Sequence, residues 1–137
     1  MTTFQTNSRN TYGVDLFHAP DSLAQNLQKV LVDLIELHLQ GKQAHWNLVG
    51  TNFRDLHLQL DNIVDIAREA ADTIAERMRA RDAVPDGRTD TVAATTSVPA
   101  APAGLVGTAD TVDIITDRIY ATVDTMRAVH DLSLIHI

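Results

Sequence analysis

The chain has 137 residues, 45% of them hydrophobic and 21% charged, enough for one domain with a real core and short for two. It holds no cysteine, which excludes disulfides, thiol catalysis and thiolate metal sites, and no apolar run reaches the ~18 residues of a membrane span. A formal net charge of −7 works against holding a phosphate backbone and favours the attraction of cations. The opening Met1-Thr2-Thr3-Phe4 has neither the basic nor the apolar segment of a secretory signal, so a cytoplasmic address is the default expectation.

Residues 1–19 read as a flexible arm, polar and without sustained periodicity. Its charges are Arg9 and Asp15, too few cations for an arm that grips DNA. Pro20-Asp21-Ser22 is a helix-start signal, and a first helix is predicted at about 20–49. Leu23, Leu27, Val30, Leu34, Leu37, Gly41, Ala44 and Leu48 recur at three- and four-residue steps along it. Leu31, Ile35 and Leu39 widen the stripe, as in a helix covered on more than one side. Gly41 costs about 1 kcal/mol against alanine in a helix interior, and is read as either allowing a close helix crossing or being tolerated. Gly50 ends this helix. Thr51-Asn52 is the expected cap of a second helix at about 52–81, with Leu56, Leu60, Ile63, Ala67, Ala70, Ile74 and Met78 as its core stripe.

Residues 83–107 form a linker rich in Pro, Ala, Gly and Thr, with a short helix expected at 91–96. Its length suits a crossover that lets the next helix run parallel to its predecessor. A third helix is predicted at about 109–132, capped by Thr108 or Asp110. Val112, Ile115, Ile119, Val123, Met126 and Val129 or His130 carry its stripe. Residues 133–137 read as an atypical apolar stub. The pattern is all-α, three amphipathic helices of a bundle whose fourth member is missing or replaced.

The chemistry-bearing residues lie between His45 and Glu76. His57 and Asp61 share one helical face, as do Asp72 and Glu76, and the two pairs fall on one stripe. At 1.5 Å per residue the pairs are about 16 Å apart along the axis. Metal–ligand bonds to imidazole and carboxylate are about 2 Å, so one chain cannot gather all four around a single ion. A second copy can. If this helix packs antiparallel against itself about a twofold axis, residues with a constant number sum face each other. His57 with Glu76 and Asp61 with Asp72 have the same sum. The axis then passes between Ile66 and Ala67, and Asp65 meets Arg68. His45, on the packing stripe of the preceding helix, can approach from the same chain. A His/Asp/Glu set without thiolate suits iron, and zinc less distinctively.

Each residue also has an ordinary structural reading. The acids can be solvated or paired with Arg68 and Arg77, Trp46 can be packing, and His18, His38, His130 and His136 read as satisfied core or boundary residues.

Lys42-Gln43-Ala44-His45-Trp46-Asn47, then Asn52-Phe53, Leu56-His57 and Asp61, then Asp72 and Ala75-Glu76-Arg77 closely resemble the Dps family, the ferritin-like DNA-binding proteins of starved cells. The similarity runs from about residue 20 to 130. It implies a ferritin-like four-helix bundle with a long crossover, assembled as a homo-oligomeric hollow dodecamer. It also implies ferroxidase centres, with the potential to be di-iron, between twofold-related subunits. His45, His57 and Asp61 would come from one subunit and Asp72 and Glu76 from the other. Trp46 would sit beside the centre and take up stray oxidising equivalents. The implied activity is oxidation of Fe(II), by hydrogen peroxide in preference to O2, with ferric mineral stored in the cavity as protection against oxidative stress. The family continues into a fourth helix where this chain has its short stub, and the arm is poor in the cations that DNA binding requires, so DNA binding is expected to be weak or absent. Two further readings stand beside the ferroxidase: a nucleoid-binding structural protein of the same fold, and a non-functional truncated fragment.

Overall fold

The computed structural model of the chain describes residues 21–135. The predicted arm 1–19, the helix start at Pro20, His18 and His136 lie outside the described residues. Element order is α1 (Asp21–Asn47), β1 (Leu48–Val49), α2 (Phe53–Ala80), α3 (Thr89–Thr95), β2 (Val106–Gly107) and α4 (Thr108–Ile135). The α4 backbone stays helical through Ile135, past residue 132 and into the segment read from sequence as a stub. No helix among the described residues is long and apolar enough to cross a membrane.

Directions follow from side-chain contacts. His45 meets His57 and Lys42 meets Asp61, so α1 and α2 are antiparallel. Gln40 meets Arg118 and Asp33 meets Thr125, so α4 is also antiparallel to α1 and therefore parallel to α2. The linker is thus a true crossover. Its far end is pinned by a parallel two-residue ladder in which Leu48 pairs with Val106 and Val49 with Gly107. Short as it is, this ladder ties the end of α1 to the start of α4.

Turn chemistry sets the corners. Gly50 has φ +123° and its missing β-carbon would fall 3.1 Å from Thr108 Oγ1, so backbone freedom and close approach both call for glycine. Asn52 sits at the α2 N-cap but is left-handed (φ 60°) and makes no side-chain capping bond. The expected cap is therefore present in position and not in chemistry. At the other end Asp82 (φ 61°) closes α2, with Ala83 N–H bonded to Met78 O and Asp82 N–H to Arg79 O. This is a Schellman cap, with aspartate in the place glycine usually takes.

Two apolar clusters fill the interior. One joins Val30, Leu31, Leu34, Ala71, Met78 and Val129, and the other joins Leu48, Leu60 and Ile115. Burial of a side chain such as Leu60 or Met78 is worth about 2 kcal/mol. Between the clusters the α1–α2 crossing tightens: a β-carbon on Gly41 would lie 2.8 Å from Val64 Cγ2. Valine in a helix has one strongly preferred rotamer, so it cannot swing aside. Gly41→Ala should therefore lose stability, by about 1–2 kcal/mol, because overpacking outweighs the gain in helix propensity. Urea melts of Gly41→Ala and of Gly41→Ala/Val64→Ala test this, since the double variant removes the obstructing methyls.

Some stripe assignments shift. Val64 and Ala71 are buried in α2, and Ile66 is 68% exposed. In α4, Thr111 and Thr122 are buried, whereas Val112 is 48% and Met126 38% exposed. Leu39 on α1 is also exposed. The buried threonines donate to the carbonyls one turn back, Thr111 to Gly107 O (2.8 Å) and Thr122 to Arg118 O (3.0 Å), so their hydroxyls enter the core satisfied.

Three buried polar residues of α1 hold the crossover. The Gln28 amide bonds Asp86 in both directions, donating to its carbonyl (2.7 Å) and accepting from its N–H (3.0 Å). Asp33, 1% exposed, accepts from Thr96 Oγ1 (2.8 Å), Ser97 N–H (2.9 Å), the Ser97 hydroxyl and Thr125 Oγ1 (2.7 Å). Gln40 donates to Pro99 O (2.6 Å) and accepts from Arg118 Nε (3.2 Å), while Arg118 Nη2 reaches Ala100 O (2.9 Å). Within the crossover, Asp86 gathers the Arg88 guanidinium and backbone N–H and the Thr91 hydroxyl. Those bonds, Arg88 first, hold its carboxyl far below the usual carboxylate range.

Candidate metal centre

The last turns of α1 and the first turns of α2 cross with their histidines face to face. His45 Nδ1 is 2.7 Å from His57 O, and His57 Nδ1 is 2.9 Å from His45 O. A carbonyl can only accept, so each Nδ1 carries a proton, and Nε2 is the nitrogen left to bind a metal. A metal-binding histidine is commonly fixed in this way, one nitrogen held by a backbone carbonyl and the other left to ligate. The rings stack with centroids 3.5 Å apart and planes 13° from parallel, and Phe53 also stacks on His57, at 5.0 Å. His45 is buried and His57 half-buried.

Asp61, one turn beyond His57, brings its Oδ1 to 3.5 Å from His45 Nδ1. That is a secondary contact, since the Nδ1 proton is already directed at His57 O. The stronger partner is Lys42, whose Nζ donates to the same Oδ1 at 2.7 Å. This hydrogen bond is the main cause of the Asp61 carboxyl lying below its ordinary range, with the neighbouring histidines adding to it.

One chain thus brings together His45, His57 and Asp61, and adds Lys42, whose place in the cluster the sequence did not reveal. Asp72 and Glu76 are exposed on the same helix, Asp72 about 16 Å and Glu76 about 22 Å beyond Asp61 along its axis. Among the described residues neither is held by a cation, so pairing with Arg68 or Arg77 does not occur. Asp72 lines an open groove with His38, Arg68 and Glu69. His38 itself bonds Ile35 O at 3.2 Å, and burial pushes its pKa below the ordinary value. Trp46, next to His45, is 67% exposed, so it does not serve as packing within the chain. Among the described residues of one chain no three His, Asp or Glu side chains are placed to hold a metal ion.

Comparison with known proteins agrees with the fold. The ferritin-like domain model matches residues 24–135. The chain is 38% identical over 99 residues to DNA protection during starvation protein 2 of Deinococcus radiodurans, across 72% of this chain and 41% of that protein. It is 42% identical over 78 residues to the DNA protection during starvation protein of Halobacterium salinarum, across 57% of this chain and 41% of that one. The chain therefore spans about two-fifths of the length of these relatives. Among solved structures, Dps from Microbacterium arborescens in the high iron form superposes with a TM-score of 0.79 at 38% identity, covering 85% of this chain and 78% of that one. With three long helices, a crossover carrying a short fourth, and these matches in sequence and shape, the chain belongs to the ferritin-like family and, within it, to Dps.

Proposed function

We propose that this protein is a Dps-type ferroxidase and iron store, working as a homo-oligomer whose metal centres lie between two copies of α2. The observation that carries the reading is the His45–His57 clasp. Metal–nitrogen bonds lie in the imidazole plane, so two near-parallel planes 3.5 Å apart cannot both aim at one ion. They suit two ions, one per ring. Asp61 beside the rings, and the partner's Asp72 and Glu76 facing them across the twofold axis, supply the hard oxygen donors that ferric iron prefers. The exposed Ile66 at the axis supports the same packing, since an apolar side chain at the centre of a helix face is covered in such a dimer.

Fe(II) is the substrate. Two Fe(II) each give one electron to a peroxide, its O–O bond breaks, and two Fe(III) and two hydroxides result without release of a hydroxyl radical. Trp46, exposed beside His45, would take up an oxidant that escapes. The solved Dps described as a high iron form, and the Vibrio cholerae Dps described as belonging to the ferritin-like diiron-carboxylate proteins, support iron as the metal. The relatives' names refer to DNA protection. With a net charge of −7, protection by removing iron and peroxide is favoured over direct binding.

The test combines light scattering with stopped-flow iron oxidation. An oligomer that oxidises Fe(II) faster with stoichiometric peroxide than with air is the expected result. A monomer that leaves Fe(II) oxidation at the buffer rate would sink the reading.

A further inference from the structure

Lys42 has no part in the reaction as described, yet its ammonium is the closest partner of a proposed ligand. Nζ lies 2.7 Å from Asp61 Oδ1, in the position a bound cation would take. Within the single chain the contact is open rather than part of the core: the Lys42 side chain is 37% and the Asp61 side chain 40% exposed. The ammonium can therefore swing into water without opening the core, so the pair is not needed to hold the α1–α2 crossing. That crossing is already fixed by the histidine clasp and the Gly41–Val64 approach.

We propose that Lys42 is a tethered counter-ion that occupies Asp61 in the empty site and yields only to metal ions that also bind imidazole, thereby selecting Fe(II) over hard cations. The proposal rests on His45, His57 and Asp61 being ligands. The physical basis is competition. Mg(II) keeps most of its water and gains little from nitrogen donors, so it must displace an ammonium already in place on Asp61 with carboxylate oxygens alone. Fe(II) meets the same carboxylates but adds bonds to the free ring nitrogens, and so displaces the ammonium. An exposed ion pair is a weak competitor, so removing it should tighten metal binding by about fivefold.

Co(II), a divalent ion that binds both imidazole and carboxylate, serves as the probe, under argon. Its binding to the assembled protein is followed by visible absorption and calorimetry, with and without millimolar Mg(II), at one pH and ionic strength. Lys42→Met should bind Co(II) about fivefold more tightly than wild type and become sensitive to Mg(II), while Lys42→Arg should resemble wild type. Lys42→Gln serves if the methionine variant does not assemble. Unchanged or weaker Co(II) affinity in the neutral variants, with Mg(II) still inert, overturns the proposal. Asp61→Asn separates the two levels. If it abolishes Co(II) binding while Lys42→Met changes nothing, only the role of Lys42 fails. If it binds Co(II) as wild type does, the metal-site reading fails and takes this one with it.

Discussion

His57→Ala and Glu76→Ala should each reduce the initial rate of peroxide-dependent Fe(II) oxidation by at least about a hundredfold, because removing even a group that only supports a ligand costs about 10–100-fold. A mixture of the two should recover part of it. The reason is geometric. His57 and Glu76 lie about five turns of α2 apart, so in the proposed shared site the histidine comes from one chain and the glutamate from the other. In a dimer of one chain of each kind, one site has lost both residues and the other has lost neither. Random pairing at equal amounts therefore leaves about a quarter of all sites intact. Dissociating and reassembling the two variants together, then measuring oxidation, checks this number. No recovery in oligomers shown by mass to contain both chains would mean that the site is not shared.

The second large effect concerns Asp33. Asp33→Ala should cost about 3 kcal/mol, with a fall in Tm on the order of 10 °C. Its carboxylate accepts four hydrogen bonds from Thr96, Ser97 and Thr125, joining α1, the crossover and α4 at one point. Alanine removes every acceptor together and leaves those donors competing for whatever water can enter. Asp33→Asn keeps one carbonyl oxygen but turns an amide toward the remaining donors, so it should fall between the two. Thermal melts of the three proteins, with amide exchange read at residues 96–99, distinguish this hub from a passive buried acid. A loss under about 0.5 kcal/mol in Asp33→Ala would show that the hub contributes little.

Asp33 also marks where sequence reading loses its grip. Period-3.6 patterning locates the three long helices because each must bury an apolar face, and it puts His57 and Asp61 on one side of α2 for the same reason. Gln28, Asp33 and Gln40 follow no such rule. Their partners are 58 to 64 residues away in the crossover, and nothing local announces them. Their signal was their position, among the apolar residues of α1, in a helix facing a linker too long to be left unheld. Hydropathy likewise ranked Val112 and Met126 above Thr111 and Thr122, although a threonine bonded to its own helix can be buried at little cost. Lys42 was legible as part of a familiar motif, but its partner was not, because a lysine stem reaches many acceptors. The two-residue ladder of β1 and β2 is too short to leave any alternation.

The histidine clasp also bears on the order in which the chain is built. Its two hydrogen bonds span 12 residues, while the Asp33–Thr125 bond that docks α4 spans 92. Closing the longer loop costs about 2 kcal/mol more in chain entropy, and contacts so distant in sequence form late. The α1–α2 hairpin, with His45, His57 and Asp61 already set against each other, can therefore form while the residues of α4 are still being synthesised. Each newborn chain would carry half of a metal centre before its bundle is finished, and subunit pairing would be the step that turns the chemistry on.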